Sequence, residues 1–424
     1  MAWSDEVFRT LSAAGQIGEG IAGTRNALYG VWRLIDGAPS AVRDLYRAFE
    51  EDRLEREAEA LPPEDIFTLA PVSAKTRREK ENLLFSVAVR LRALEKQLFL
   101  LSSGAPARRS ASVTAVFENE QAYVLMWGGI HRTAKTGDSF RRRGLSRARL
   151  IPKTINGLDV KLEMPDDPRG RERKAGGIGL SMGAGLFEGM RFDFRKVDGD
   201  GFIVVDATAT GQVETIFAQI SDASRRHCAA IVYPELTISS ATLQRIETGL
   251  SESSSGDCTL SMIVAGSRHA VEGDGRVFNV CTVLNGYGGV IAEHRKLFSF
   301  NEGTSREAIE LGSELQVLVL EEAVFAFGIC LDFCNLCEDP PYLDLDTDYV
   351  VVPSCGEEST MQSHIQRSTE ILTKLKCRSL VVQQLHREKP RADDPLGFVL
   401  ARTDKAVPEL SALATKDPWR VYDI

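Results

Sequence analysis

The feature that most constrains this chain is the regular alternation of apolar strands and amphipathic helices that begins after Arg191. Short β-branched runs such as 201–205 are followed by helical patterns such as 212–226 and 240–250. Chains that alternate in this way form α/β domains, because each helix covers a face of the sheet built by its neighbouring strands. The sequence therefore predicts an α/β domain over residues 191–424. Its other predicted elements are strands at 231–236, 260–265, 277–284, 290–296, 349–353 and 379–383, a buried strand that ends at Cys330, and a helix at 363–376.

The first 105 residues show a helical period instead. An amphipathic run at 41–61 ends at Pro62 and Pro63, and a second helix is predicted over 77–101. The second helix carries an apolar seam at steps of three and four: Leu84, Val87, Leu91, Leu94, Leu98 and Leu101. A seam of under three heptads is short for a coiled coil, so a helical hairpin or bundle and a dimerising zipper both stay open.

The segment 106–190 separates these two regions. A Ser- and Arg-containing linker at 102–112 leads into it, and three short strands are predicted, at 112–117, 122–127 and 158–164. A glycine-rich stretch at 170–189 reads as a linker or mobile loop. We therefore predict a helical region at 1–105, a small β-rich subdomain with a glycine-rich linker at 106–190, and the α/β domain at 191–424.

Charge and hydropathy narrow the classes of partner. A net charge of -9 and a pI near 5.4 argue against general affinity for nucleic acid. One basic cluster lacks interleaved aromatic residues and is interpreted as a solvated face or a contact with the acidic remainder: Arg132, Lys135, Arg141, Arg142, Arg143, Arg147, Arg149 and Lys153. The sequence shows neither a secretory signal pattern nor an apolar run of about 20 residues, so a cytoplasmic protein without membrane association is expected.

All eight cysteines lie at or beyond Cys228, and in a chain of this class they are expected to be free thiols. Cys334 and Cys337 form a CxxC motif without a second pair of ligands, so no metal site is predicted there. No cofactor is expected either.

Three side chains with complementary chemistry each follow an apolar strand: Glu235, Lys296 and Cys330. Each is weak by itself, since a cysteine at a strand end is usually a core residue and a lysine is usually solvated. Together they form a possible catalytic set. A thiol with a pKa near 8.5 needs a base or a nearby cation to become a nucleophile, and a carboxylate and an ammonium supply both.

The C-terminal half resembles the nitrilase, or carbon-nitrogen hydrolase, superfamily over about residues 200–385. The resemblance lies in Pro234-Glu235 after a strand, in His294-Arg295-Lys296, and in Ile329-Cys330-Leu331-Asp332. Flanking segments agree with it: the helix before the Glu235 strand, IVAGS at 263–267, Asn279, and DYVVVPS at 348–354. It departs after Asp332, where FCNLCEDPP replaces the usual Arg-Phe-Pro-Glu, which puts substrate and oligomer interface in doubt.

The resemblance implies a four-layer αββα sandwich, preceded here by a helical and mixed α+β region. It implies Cys330 as nucleophile, Glu235 as general base and Lys296 as a stabiliser of the oxyanion, together with the Leu331 backbone N–H. A second glutamate often lies between the lysine and the cysteine, and Glu307 fits that position best, followed by Glu302. The implied reaction is hydrolysis of a linear amide or carbamoyl group through a thioester, ahead of nitrile hydrolysis.

Two other functions stay open. One is a catalytically silent sensor or scaffold module whose N-terminal helices bind a protein partner. The other is an acyltransferase in which an amine or lipid replaces water, although such family members commonly carry membrane helices. The resemblance also implies a homo-oligomer, since members usually dimerise through helices of the catalytic domain. The acyl group, the leaving amine and the role of residues 1–190 are not determined by the sequence.

Overall fold

The structure is a computed structural model. It describes residues 3–16, 20–70, 74–102, 113–118, 120–127, 144–165, 180–197, 199–252, 258–302, 305–320, 323–335, 341–387, 391–403 and 406–424.

The chain divides into two compact units. The first comprises Met1–Thr154 with Lys374–Lys376, and the second comprises Ile155–Thr373 with Cys377–Ile424. This division differs from the three regions predicted from the sequence, because strands within 155–190 pair into the sheets of the second unit.

The first unit contains helices that precede a small antiparallel sheet. The helices are α1 (Trp3–Ala14), α2 (Gly20–Asp36), α3 (Ser40–Arg43), α4 (Glu51–Ala60) and α5 (Arg77–Ser102). The sheet has the order β1 (Val113–Glu118), β2 (Ala122–Trp127) and β3 (Ala148–Pro152).

The predicted helix at 41–61 is not continuous. Helix α3 gives way to a 3₁₀ turn over Asp44–Ala48, and Phe49 is extended before α4 begins. The break lets the Phe49 ring pack edge-on against Phe85 on α5, with 5.2 Å between ring centroids. Helix α4 ends at Ala60, immediately before the predicted proline stop.

The apolar seam of α5 lies inside the core of the first unit. Leu101 is 38% exposed. The other five members are fully buried: Leu84, Val87, Leu91, Leu94 and Leu98. Their neighbours include side chains of α1, α2 and α4. The seam therefore belongs to a helical bundle, and the expectation that it offers a free apolar face for dimerisation is wrong.

A buried ionic group joins the helices to the segment before β3. The Glu95 carboxylate on α5 accepts the Ser146 backbone N–H at 3.0 Å and the Arg147 backbone N–H. Arg92, one turn earlier, donates to Glu51 of α4 at 2.7 Å. Burial raises the pKa of Glu95 despite the opposing charge of Arg92.

Part of the predicted basic cluster contacts the protein itself. The Arg149 side chain is almost fully buried, and Lys153 pairs with Glu118 at 3.0 Å. Arg132, Lys135, Arg141, Arg142 and Arg143 lie outside the described residues.

The second unit contains three sheets and the helices that cover them, so the α/β prediction is confirmed. A six-stranded sheet has the order β12-β11-β10-β9-β6-β21, and an eight-stranded sheet has the order β20-β19-β18-β17-β16-β15-β5-β4. A four-stranded sheet has the order β13-β14-β8-β7. The strands are β4 (Thr154–Ile155), β5 (Leu158–Glu163), β6 (Ser181–Gly185), β7 (Arg191–Val197), β8 (Gly201–Thr208), β9 (Ala230–Val232), β10 (Met262–Val271), β11 (Val277–Leu284), β12 (Val290–Arg295), β13 (Asn301–Glu302), β14 (Ser305–Glu307), β15 (Glu314–Val319), β16 (Val324–Phe327), β17 (Tyr349–Gly356), β18 (Arg378–Leu385), β19 (Gly397–Arg402), β20 (Ala414–Thr415) and β21 (Trp419–Asp423). The helices are α6 (Gln212–Arg225), α7 (Ser240–Glu252), α8 (Leu331–Cys334), α9 (Glu358–Leu375) and α10 (Leu410–Leu413).

One hydrophobic core lies between the two larger sheets. It combines Val232 and Val264 of the six-stranded sheet with Phe325 and Val351 of the eight-stranded sheet, all buried. A second core packs α6 and α7 against the other face of the six-stranded sheet and includes the buried Ile231 of β9. On the eight-stranded sheet, Ser379 of β18 donates to Ser368 of α9 at 2.8 Å. Burial of these apolar faces supplies most of the folding free energy.

The glycine-rich stretch is not only a linker. Its residues 170–179 lie outside the described residues, but Ser181–Gly185 forms β6, which pairs with both β9 and β21. A β-carbon at Gly183 would overlap the Trp419 ring, and one at Gly185 would overlap Tyr233. The glycines here permit close packing of two aromatic rings against a strand, which composition alone does not distinguish from a loop.

Candidate active site

The three predicted residues leave the ends of three different strands. Glu235 lies three residues after β9, Lys296 directly follows β12, and Cys330 lies three residues after β16. Strands β9 and β12 belong to the six-stranded sheet and β16 to the eight-stranded sheet. The site is therefore assembled from both large sheets.

Lys296 lies at the centre of a buried ionic cluster. Its Nζ atom donates to Glu235 Oε1 at 2.7 Å and to Glu307 Oε2 at 2.7 Å. All three side chains are at least 97% buried. Glu307 thus occupies the place expected of a second glutamate, whereas the side chain of Glu302 lies outside the described residues.

Asn279 and His269 complete the hydrogen bonds of the two carboxylates. Asn279 Nδ2 donates to Glu235 Oε1 at 3.0 Å and to Glu307 Oε1 at 2.9 Å. His269 Nδ1 accepts the Val204 backbone N–H at 2.7 Å, so its proton lies on Nε2, which donates to Glu307 Oε1 at 2.9 Å. Sequence reasoning named Asn279 only as a flanking residue and missed His269, which lies 38 residues from Glu307.

These contacts give the two glutamates different acidities. Burial raises the pKa of Glu235, and the nearby Lys296 charge only partly opposes this. Burial acts in the same direction on Glu307, but Lys296 and His269 outweigh it and hold its pKa below the usual range. Burial alone would lower the pKa of Lys296, yet the two carboxylates raise it well above its ordinary value. Lys296 is therefore a permanent cation, and Glu235 is the better proton acceptor.

Cys355 of β17 connects Glu235 to Cys330. Its backbone N–H donates to Glu235 Oε2 at 3.0 Å, and its carbonyl oxygen lies 3.8 Å from Cys330 Sγ. One residue thus holds the second oxygen of the carboxylate and the thiol at adjacent positions.

Cys330 has a strained backbone. Its φ of 46° and ψ of −102° are unusual for a residue with a side chain, and its N–H donates to Pro353 O at 2.9 Å. Helix α8 starts at the next residue, so the chain turns sharply at the thiol. Leu331 is the first residue of that helix, a position whose backbone N–H has no partner within the helix.

The Cys330 thiol is protonated at rest. Its hydrogen bond with Cys334, its burial and the Glu235 charge together hold its pKa well above the usual value. The same hydrogen bond lowers the pKa of Cys334 to about 5, against the effect of burial. A nucleophilic Cys330 must therefore lose its proton to a neighbouring base as it reacts.

Asp332 fixes the cysteine turn to the lysine segment. Its Oδ1 accepts the backbone N–H groups of Leu297 at 2.7 Å and Phe298 at 3.0 Å. Its Oδ2 accepts the Ile329 backbone N–H at 2.9 Å and lies 3.1 Å from His294 Nε2. The carboxylate is a positioning group that sets the distance between Lys296 and Cys330.

Seven cysteines among the residues that the structure describes form no disulfide: Cys228, Cys258, Cys281, Cys330, Cys334, Cys355 and Cys377. Cys337, the other half of the CxxC motif, lies outside them. Among the helices of the described residues, none is both long and apolar enough to cross a membrane.

Comparisons with known proteins give structural similarities only. No protein-family model matches the chain, and no curated protein matches its sequence. Among solved structures, it is similar to a glutamine-dependent NAD+ synthetase from Acinetobacter baumannii, with a TM-score of 0.44 and 17% identity. That match covers 58% of this chain and 45% of the synthetase, so the chain spans less than half of that protein.

The chain is also similar to a double mutant of the amidase from Nesterenkonia sp. AN1 in complex with acrylamide, with a TM-score of 0.40 and 14% identity over 58% of this chain and 91% of the amidase. A mutant of the same amidase, which shows covalent addition of the acetamide moiety of fluoroacetamide at its active-site cysteine, has a TM-score of 0.40 and 15% identity over 58% of this chain and 90% of the amidase.

Proposed function

We propose that this protein is a thiol-dependent carbon-nitrogen hydrolase of the nitrilase type, acting on a linear amide or carbamoyl group. The observation that carries the proposal is the buried Glu235–Lys296–Glu307 cluster, joined to Cys330 through Cys355. A permanently charged lysine, a carboxylate of raised pKa and a thiol at a strained turn are the groups that acyl transfer to sulfur requires.

In the first half of the reaction, Glu235 accepts the Cys330 proton as the sulfur attacks the carbonyl carbon. The negative charge that grows on the carbonyl oxygen is stabilised by the Lys296 ammonium and the Leu331 backbone N–H. Glu235 then returns its proton to the leaving nitrogen, the C–N bond breaks, and a thioester remains on Cys330. The raised pKa of Glu235 suits it to both proton transfers.

In the second half, Glu235 takes a proton from water, which attacks the thioester carbon. The C–S bond breaks, the carboxylic acid leaves, and the proton returns to Cys330. Glu307 stays ionised throughout, because Lys296 and His269 both donate to it, and it holds the ammonium in place. The low exposure of Cys330, 5%, favours small substrates.

The proposal includes a four-layer αββα arrangement of the second unit. It is supported by the core between the two large sheets, by α6 and α7 on the six-stranded sheet, and by the contact of α9 with the eight-stranded sheet. Strand β21 at the C-terminal end extends the six-stranded sheet by pairing with β6.

The test is release of ammonia by the purified full chain from a panel of linear amides, carbamoyl compounds and nitriles. We expect turnover with amides or carbamoyl compounds and a decrease of about 10⁴-fold or more for Cys330→Ala. Cys281→Ala, which removes another buried free thiol, is the matched control and should retain turnover. Mass spectrometry of a stalled reaction should find the acyl adduct on the Cys330 peptide.

Undiminished turnover by Cys330→Ala, or an adduct on another cysteine, would overturn the assignment. If no compound of the three classes is turned over but some bind, the silent sensor described above becomes the better explanation.

A further inference from the structure

A second cluster of ligand-type side chains lies beside the nucleophile. Cys330, Cys334 and His364 are all buried, and their sulfur and imidazole nitrogen atoms lie within 4.8 Å of one another. Cys330 directly precedes helix α8 and Cys334 is its last residue, and the Cys334 backbone N–H donates to Cys330 O at 3.2 Å. His364 comes from α9, and its ring stacks on Phe333 with 5.9 Å between centroids.

Hydrogen bonds around His364 leave one ring nitrogen with a free lone pair. Gln383 Nε2 donates to Gly356 O at 3.1 Å and to Glu357 O at 2.8 Å, which turns Gln383 Oε1 toward Ser354. The Ser354 hydroxyl donates to that oxygen at 3.4 Å and lies 3.0 Å from His364 Nε2.

Because its single proton is directed to Gln383, Ser354 must accept the proton of His364 Nε2. The other nitrogen, Nδ1, is then an unprotonated acceptor, and it is buried without a hydrogen-bond partner among the described residues. A histidine whose second nitrogen donates to a fixed outer partner is the arrangement found at metal sites.

We propose that Cys330, Cys334 and His364 form a binding site for a thiophilic divalent cation such as Zn²⁺. Zinc–sulfur bonds of about 2.3 Å in a tetrahedral site put two sulfurs about 3.8 Å apart, so the cluster contracts by at most about 1 Å. Both sulfurs bind as thiolates, and a proton displaced from either sulfur goes to solvent. Two thiolates, one neutral imidazole and a dication have no net charge, which keeps the cost of burial low.

The three residues supply three ligands, and a water molecule completes the tetrahedron. The site uses the sulfur that the proposed reaction requires, so bound zinc and turnover exclude each other. This consequence rests on the proposed function, whereas binding of the cation does not. Zinc would act as a reversible inhibitor whose affinity depends on two residues outside the catalytic cluster.

The experiment measures binding on the chelator-treated full chain without substrate. Titration with Co²⁺, a spectroscopic substitute for Zn²⁺, should give a thiolate-to-cobalt band at about one ion per chain, and Zn²⁺ should displace it. Cys334→Ala and His364→Ala should weaken Zn²⁺ binding by more than about 100-fold, the upper effect of losing an outer partner. Ser354→Ala should weaken it about 10–100-fold. Cys228→Ala, a buried thiol outside the cluster, should bind as the unmodified chain does.

The proposal is overturned if the unmodified chain gives no thiolate-to-cobalt band, or if Cys228→Ala lowers affinity as much as Cys334→Ala does. Should Cys334→Ala or His364→Ala fail to fold, Ser354→Ala still decides, because unchanged zinc affinity would refute the assigned tautomer. With an active substrate, added Zn²⁺ should inhibit the unmodified chain and Cys228→Ala alike. Cation binding without any hydrolysis would refute the proposed function and leave the site intact.

Discussion

Replacing Lys296 by methionine tests the buried cluster through stability alone. The substitution keeps the length of the side chain but removes the charge that Glu235 and Glu307 share at 2.7 Å. The remaining donors, Asn279 and His269, are neutral, so they cannot hold two carboxylates ionised in a buried site. We expect the folded variant to keep at least one of the two carboxyl groups protonated at neutral pH.

The size of the effect follows from the free energy needed to keep one buried carboxyl group protonated. For a group with an ordinary pKa of 4.5, that free energy is about 1.4 kcal/mol for each pH unit above 4.5. The loss of unfolding free energy should be about 3.4 kcal/mol at pH 7 and about 0.7 kcal/mol at pH 5, for one such group. In the variant the folded pKa lies above the unfolded one, so stability falls as pH rises through that window. In the unmodified chain the folded pKa of Glu307 is lowered, and its contribution is lost only below pH 4.5.

The assay is urea unfolding between pH 5 and pH 7, followed by the fluorescence of Trp419 in a background where Trp3, Trp32 and Trp127 are phenylalanine. Trp419 lies in β21 and reports on the second unit. The control is Lys161→Met. The Lys161 side chain is 56% exposed, so this substitution should cost at most about 1 kcal/mol at every pH. A Lys296→Met loss that is constant with pH, or that grows toward pH 5, would refute the reasoning.

Three further predictions concern the turn, the segment boundary and association. Asp332→Asn places an amide N–H against backbone donors, so it should lower the free energy of unfolding in urea by about 3 kcal/mol and abolish ammonia release. Near-native values for both would show that the four hydrogen-bond contacts of the Asp332 carboxylate do not position the site. Limited proteolysis should cut first near residues 170–200, and a first cut inside 210–380 that leaves this stretch intact would contradict this. Light scattering at micromolar concentration should give the mass of a homo-oligomer formed through the second unit, and a monomeric mass would remove that prediction.

The sequence was informative where apolar strands end on chemically distinctive residues. Glu235, Lys296 and Cys330 each follow a strand whose composition identified it, and strand ends of neighbouring sheets meet. Glu307 was also predicted, because the family resemblance implies a second glutamate between the lysine and the cysteine.

Contacts between distant segments could not be read in this way. His269 reaches Glu307 only because β10 and β8 come together, and His364 lies 30 residues from Cys334. Strand β6 was missed because glycines that accommodate Trp419 have the same composition as glycines that form a loop. The predicted helix at 41–61 is interrupted in the structure, because helical periodicity in the sequence does not show that Phe49 is extended and packs against Phe85.

The division of the site between two sheets has a consequence for the newly made protein. Glu235 and Lys296 depend on the six-stranded sheet, whereas Cys330 and Cys355 depend on the eight-stranded sheet. A folding intermediate with only one sheet formed has either a base without a thiol or a thiol without a base. The thiol and the base proposed for it thus come together only when the core between the sheets closes.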